Sequence, residues 1–457
     1  MKVHFLGIGG SGASAVANLA QAQGFEITGC DLEPQNEFTT QFKPSQLFKG
    51  HSASHIGSGS HKIDILAVTP AIFSLDPDNE ELQEARKRGI EVLTWQQFLG
   101  EYLTKDKFVI AICGTHGKTT TTAMIAAVLE DANLDPTVEL GAIHPKWGTN
   151  FRIPTHRHPE RTGQAHREGS KDYFIIEADE FNDNFLHFKP DITVVTNIEM
   201  DHPEYFKDFD AVKESFKKFL LQTRGAIVAN MFDPAVAEVI KVVMKTPLGH
   251  KPHDRKVMAQ YLDYSKNEMG LDLKVPGKFN KLNAMAALQV GLLLKVDPSV
   301  IQKSLNNYTG VSRRFEYIGD YKSAKVYSDF GHHPTEIKKT MEAAREKFPN
   351  QKIYLFYQPH MFSRTKALFD DFVKVFQSLP IDGIVILDIY PSREVDTGLV
   401  TSEQLVKAIN KKNIYYSKEI NPEKFKQYAK PGDILFFMGA GDSDKWAKEL
   451  VKSNPLP

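Results

Sequence analysis

The feature that most constrains this chain is the run Cys113-Gly114-Thr115-His116-Gly117-Lys118-Thr119-Thr120-Thr121, set between an apolar stretch at 108–112 and a helix-forming stretch at 123–129. A strand that empties into glycines and then into Lys-Thr at a helix start builds an anion site. Backbone N–H groups close around phosphate oxygens, and the helix N-terminus adds partial positive charge. In such a loop Lys118 reaches the terminal phosphates and Thr119 can ligate Mg2+, so the predicted ligand is a nucleoside triphosphate. Ile112 occupies the first glycine position of the longer G-x-x-x-x-G-K-[ST] form, which makes this loop a shortened version.

Two carboxylate-bearing segments are predicted to face it. An apolar run at 173–176 delivers Glu177-Ala178-Asp179-Glu180, and another at 192–195 leads to Asn197-Ile198-Glu199-Met200-Asp201-His202. Ligands of parallel sheets collect at the carboxyl ends of strands. Hard oxygen donors suit Mg2+, which selects Glu177 and Thr119. From chemistry alone His202 stands open between metal ligand, base and supporting group. Glu180, Glu199 and Asp201 read equally well as helix-start or solvated acids.

A second glycine cluster, Gly7-Ile8-Gly9-Gly10-Ser11-Gly12, follows an apolar run at 3–8, and Asp31 ends the next run. Alone it is a dinucleotide fingerprint and admits an NAD-dependent oxidoreductase. Placed ahead of a triphosphate loop, it is better read as a diphosphate site for a nucleotide-linked substrate.

With 457 residues, at roughly 100–200 per domain, two to four domains are expected. Strand-like runs alternate with helical periods throughout, including 353–356, 383–387 and 434–437, and a helix is expected at 281–294. The reading is three α/β domains at 1–104, 105–310 and 311–457. Fifty-six Lys+Arg against 57 Asp+Glu give a net charge of -1, which excludes a global basic field for nucleic acid or anionic membrane. Cys30 and Cys113 have no metal-ligand spacing in sequence, and a reducing cytoplasm is expected. Neither a signal peptide nor a transmembrane run is legible at the N-terminus. The His-rich stretch at 151–170, with His156, His158 and His166, reads as a surface loop rather than a metal site.

In order and spacing, GIGGSG at 7–12, GTHGKTTTT at 114–122, EADE at 177–180, NIEMDH at 197–202, PGKFNKLNA at 276–284, SRRFE at 312–316, SDFGHHPTE at 328–336 and YQPHMFSRT at 357–365 resemble the Mur ligase family, the ADP-forming amide ligases of peptidoglycan precursor synthesis. The resemblance covers almost the whole chain. It implies an N-terminal Rossmann-like UDP-binding domain, a central P-loop ATPase domain and a C-terminal Rossmann-like domain. ATP and Mg2+ are the implied cofactors. UDP-N-acetylmuramate and L-alanine are the implied substrates of a cytoplasmic enzyme that is a monomer or weak dimer.

Residue by residue, the resemblance assigns Gly114, Thr115, His116, Gly117, Lys118, Thr119, Thr120, Asn280, Asn283, Arg314 and Asp329 to ATP. It assigns Thr119, Glu177 and His202 to the metal, with Lys118, Glu177, His202 and Arg314 in the catalytic set. Gly9, Gly10, Gly12, Ser14 and Asp31 fall to the UDP-sugar, and His332, His360 and Arg364 to the acceptor. Three departures from the family pattern stand out: Phe279 in place of a usual His, Met361 in place of a usual Arg, and Phe181-Asn182 after EADE. Met361 keeps open a recycling ligase that joins UDP-N-acetylmuramate to a murein tripeptide. A nucleotide-sensing scaffold would not need Glu177 and His202. Lys217 is a candidate for the carbamoylated lysine of some members, though it reads more simply as a surface lysine.

Overall fold

The computed structural model describes residues 1–57, 59, 62–155, 171–245, 260–266, 270–392, 394–418 and 429–453. His156, His158 and His166 lie outside the described residues. Two compact units divide the chain: residues 1–199, 210–271 and 283–306 in the first, and 200–209, 272–282 and 307–457 in the second.

The first unit holds two sheets. One contains β1 (Lys2–Leu6), β2 (Glu26–Asp31), β3 (Leu47–Lys49), β4 (Ile65–Val68) and β5 (Glu91–Thr94), in the all-parallel order β3-β2-β1-β4-β5. The run expected at 3–8 ends as a strand at Leu6. Gly7 there adopts φ +87°, and the N–H groups of Gly7 and Ile8 both donate to the Cys30 carbonyl, at 2.9 and 3.1 Å. Behind the turn, the helix Ser11–Ala22 is buried along most of its length. A Cβ on Gly12 would lie 2.5 Å from the Trp95 ring, so only glycine lets this helix pack there.

The other sheet contains β6 (Phe108–Cys113), β7 (Thr137–His144), β8 (Thr149–Arg152), β9 (Tyr173–Glu177), β10 (Ile192–Val195), β11 (Ala226–Ala229) and β12 (Gln260–Asp263), in the order β12-β11-β10-β6-β9-β7-β8. Its central strand β6 reads FVIAIC and is buried on both faces, as an unbroken apolar run in a parallel sheet must be. β8 runs antiparallel to β7, at the edge of this sheet. Asn150 on β8 donates to the Ser11 carbonyl at 2.6 Å.

The second unit is built on β13 (Glu316–Tyr321), β14 (Ala324–Asp329), β15 (Ile353–Tyr357), β16 (Gly383–Ile386), β17 (Ile414–Tyr416) and β18 (Ile434–Met438), ordered β13-β14-β18-β15-β16-β17. It too carries one antiparallel edge strand, β13. Ile337, Met341, Leu355, Tyr357, Phe372 and Phe436 lie in its main core. Among the described residues no helix is long and apolar enough to cross a membrane.

Candidate active site

Strand β6 delivers the glycine loop, and the helix Lys118–Asp131 begins directly on Lys118. Gly117 caps that helix at φ +86°, and a Cβ on it would fall 2.8 Å from Asn283 Oδ1. Left-handed backbone and close approach together demand glycine at this position. The loop is fastened from the side by the segment after β10. His116 N–H donates to Asn197 Oδ1 at 2.9 Å, Thr196 Oγ1 donates to the His116 carbonyl at 2.7 Å, and Glu199 N–H donates to Thr115 Oγ1 at 2.9 Å. His116 Nε2 lies 3.2 Å from Glu199 Oε2.

Lys118 Nζ donates to the Gly114 carbonyl at 2.7 Å and to Glu180 Oε2 at 2.8 Å, with Asp179 Oδ1 at 3.6 Å. Burial alone would lower the ammonium's pKa. The charges of Glu180, Asp179 and Glu177 outweigh it and hold Lys118 above the usual lysine range. Thr119 Oγ1 donates to Glu177 Oε2 at 3.0 Å, and Gly141 N–H donates to Glu177 Oε1 at 2.7 Å. A hydroxyl and a carboxylate from two neighbouring elements form an oxygen donor set of the kind Mg2+ takes. The glycine loop leads straight into the helix N-terminus at Lys118, a backbone arrangement that fits triphosphate oxygens.

One group here escaped sequence reasoning. Glu139 on β7 is buried, and its Oε2 accepts from the Glu177 N–H at 3.2 Å. Burial, followed by the Glu177 charge, raises its carboxyl well above the ordinary range. It holds Glu177 from behind through that hydrogen bond. Val138, Glu139 and Leu140 are all buried in β7, so no alternation in the sequence signalled it.

In the second unit Arg364 is the centre. It is 2% exposed, its Nε donates to Asp201 Oδ1 at 2.9 Å, and its Nη1 lies 3.1 Å from His360 Nδ1. Nη2 lies 3.5 Å from His202 Nδ1, and that nitrogen is 3.2 Å from Glu204 Oε1. Burial would raise Asp201, but His202 and Arg364 carry it well below the usual carboxylate range. Asp201 is therefore an ion-pair anchor rather than a helix cap. His332 and His360 have ring centroids 5.6 Å apart. Burial, then the Arg364 charge, pushes His332 down to about 3, so it is neutral at working pH.

Asp329 accepts from Phe315 N–H and Gly331 N–H, both at 2.8 Å, and burial raises its carboxyl to about 6 against the pull of Arg314. Arg314 lies over the Phe330 ring at 5.1 Å and 3.8 Å from Glu336 Oε1, whose other oxygen accepts from His332 N–H at 3.0 Å. Asn280 Nδ2 donates to the Pro276 carbonyl at 2.7 Å.

Three family profiles match the chain: "Mur ligase family, catalytic domain" over residues 2–107, "Mur ligase middle domain" over 112–291, and "Mur ligase, glutamate ligase domain" over 313–441. The UDP-N-acetylmuramate--L-alanine ligase of Aquifex aeolicus is 34% identical over 99% of this chain and 97% of its own length. The chain belongs to the Mur ligase family. The protein of the same name from Clostridium acetobutylicum is 36% identical over 96% of this chain and 95% of its own. The solved UDP-N-acetylmuramate-alanine ligase of Thermotoga maritima superposes with a TM-score of 0.74 at 26% identity, covering 99% of this chain and 98% of that one. A murein peptide ligase from Psychrobacter arcticus shares the fold, with a TM-score of 0.68 at 20% identity. The chain is thus an ADP-forming ligase of three α/β domains.

Against this Mur ligase background two of the departures, and Lys217, find physical places. Met361 is 1% exposed at φ +69°, its N–H on the Tyr390 carbonyl at 2.8 Å, so it is a buried turn residue. Phe279 packs against the core of the third sheet. Lys217 pairs with Glu214 at 2.9 Å on its own helix. At the N-terminal loop, Asp31 Oδ2 accepts from Gly9 N–H at 2.9 Å and Ser14 Oγ donates to the Ser11 carbonyl at 2.9 Å, so both brace the glycines.

Proposed function

We propose that the protein joins the carboxylate of UDP-N-acetylmuramate to the amine of L-alanine with conversion of ATP to ADP. Identity of 34–36% to proteins named for that reaction, over 96–99% of the chain, carries the proposal. The domain roles are UDP-sugar binding for 1–104, ATP binding for 105–310 and acceptor binding for 311–457.

A free carboxylate is a poor acyl donor, because oxide would have to leave. Phosphorylation by ATP makes an acyl phosphate, from which phosphate departs when the amine attacks. Phosphoryl transfer needs positioning and charge neutralisation more than covalent help. The loop amides of residues 114–120 and Lys118 bind the triphosphate, with Asn280, Asn283, Arg314 and Asp329 as its further contacts. Thr119, Glu177 and His202 are assigned to Mg2+, which when bound screens the phosphate and carboxylate charges that repel one another. Glu139, accepting from the Glu177 N–H, keeps Glu177 oriented. Gly9, Gly10 and Gly12, braced by Asp31 and Ser14, cradle the UDP diphosphate. His332, His360 and Arg364 line the acceptor site.

Phosphate release by the purified protein with ATP, Mg2+ and UDP-N-acetylmuramate tests this. L-alanine stimulates release on this proposal, ahead of glycine and L-serine. Stimulation only by murein tripeptide would move the protein to recycling, and stimulation by no acceptor would remove the proposed substrate.

A further inference from the structure

Away from the ATP loop, the first sheet gathers a set of side chains that no step above uses. His4 on β1, Cys30 on β2 and Glu81 in the first turn of the helix Glu80–Lys87 are each fully buried. His55, from the short turn Ala53–Ile56, closes over them. One ligand atom from each of the four lies within 4.8 Å of all the others. Cys30 Sγ is 3.1 Å from Glu81 Oε1, His55 Nδ1 is 2.8 Å from the same oxygen, and His4 Nε2 is 3.2 Å from Glu81 Oε2. That His4 nitrogen is buried and faces Glu81 without a well-formed hydrogen bond. Its other nitrogen is held 2.8 Å from Thr28 Oγ1, which fixes the ring so that Nε2 aims into the cluster. His55 is stacked on Phe48 at 4.6 Å, and Ser52 N–H donates to Glu81 Oε1 at 3.0 Å.

We propose that His4, Cys30, His55 and Glu81 form a closed four-donor site for a zinc-class divalent cation in the N-terminal domain. A sulfur, two imidazoles and one carboxylate oxygen are the donors such ions take in tetrahedral sites, and they disfavour Mg2+. Charge also balances: a thiolate and a carboxylate supply the two negative charges that a buried dication requires. On binding, the Cys30 S–H bond is replaced by an S–metal bond and the proton leaves to solvent. Thr28 is then the outer partner that orients His4, as such partners do in metal sites. His51, with Nδ1 at 3.3 Å from Cys30 Sγ and a fifth of its side chain exposed, stands at the solvent side where an ion would enter.

The position gives the site its role. The Cys30 carbonyl receives the N–H groups of Gly7 and Ile8, and the next residue, Asp31, receives that of Gly9. A cation holding Cys30 therefore holds the strand end on which the glycine loop is hung. The proposal goes beyond the ligase assignment and does not depend on it, because every donor lies in the first sheet and its connections.

The test uses the full-length protein stripped with a chelator and then titrated with Co2+ in excess Mg2+, so that oxygen-donor sites are filled. A thiolate-to-cobalt charge-transfer band, saturating near one ion per chain and displaced by Zn2+, is expected. Cys30→Ser should abolish the band; Cys113, the other thiol, remains as an internal control. His55→Gln, at the partly exposed edge, should fold even if Cys30→Ser does not, and should weaken Co2+ at least tenfold. Zn2+ should raise the thermal midpoint of the parent protein and not of either variant. A parent spectrum lacking the thiolate band, or one unchanged in both variants, would overturn the site and leave Glu81 as a hydrogen-bond hub.

Discussion

At Lys118 one ammonium answers three carboxylates, and the balance decides what the residue can do. It is held charged by Glu180 and Asp179 before any nucleotide arrives, so phosphate binding exchanges anions around a fixed cation rather than creating one. Lys118→Ala should cost about 10³-fold in kcat. It also takes the ammonium away from buried Glu180, which should lower stability by about 3 kcal/mol in denaturant unfolding. UDP-sugar affinity, measured by titration calorimetry, should not change. Arg364 argues similarly from geometry. Arg364→Lys keeps the charge but cannot reproduce contacts with Asp201, His360 and His202 at once. A loss of about 2 kcal/mol, roughly thirtyfold in KM for L-alanine with KM for ATP unchanged, is expected in steady-state kinetics.

At the scale of elements, the informative ones are those the apolar pattern did not show. Central strands such as β6 and β18 are legible because both faces are buried and the sequence is continuously apolar. The β7–β8 hairpin was not legible, because its strands mix buried acid, amide and histidine with exposed positions. Yet that hairpin supplies Glu139 and the Gly141 N–H that steady Glu177. At its turn His144 stacks on Trp147 at 4.1 Å and accepts from Lys146 N–H at 3.2 Å. Burial, aided by Lys146, lowers its pKa from 6.5 to about 4 against the pull of Glu130. The folded state thus favours the neutral ring: its contribution is whole above pH 6.5 and drains away as pH falls toward 4, by up to about 3 kcal/mol. Thermal unfolding followed from pH 7 to pH 4 should show a steeper decline for the parent protein than for His144→Gln.

At the scale of the whole molecule, ligand linkage separates the proposed sites. A ligand that binds only the native chain at a hundredfold excess over its Kd adds about 2.7 kcal/mol to stability. ATP with Mg2+ and UDP-N-acetylmuramate should each raise the unfolding midpoint in a fluorimetric scan. Omitting Mg2+ should remove most of the ATP increment and none of the UDP-sugar increment. An equal loss of both would contradict the assignment of Mg2+ to Thr119 and Glu177.

From the residues alone came three α/β domains, a triphosphate loop, its carboxylate neighbours and a second glycine loop. Glycine, lysine and apolar runs act through local backbone geometry, and local geometry is written in order along the chain. Tertiary structure alone decided the partners. It made Asp201 the anchor of Arg364, 163 residues distant, and Glu139 the support of Glu177, and it buried Met361. It also brought His4, Cys30, His55 and Glu81 to one point although no spacing among them suggests it. Such sets depend on which strands lie side by side and which loops cross their ends, and on burial, which sets the charge each group will bear.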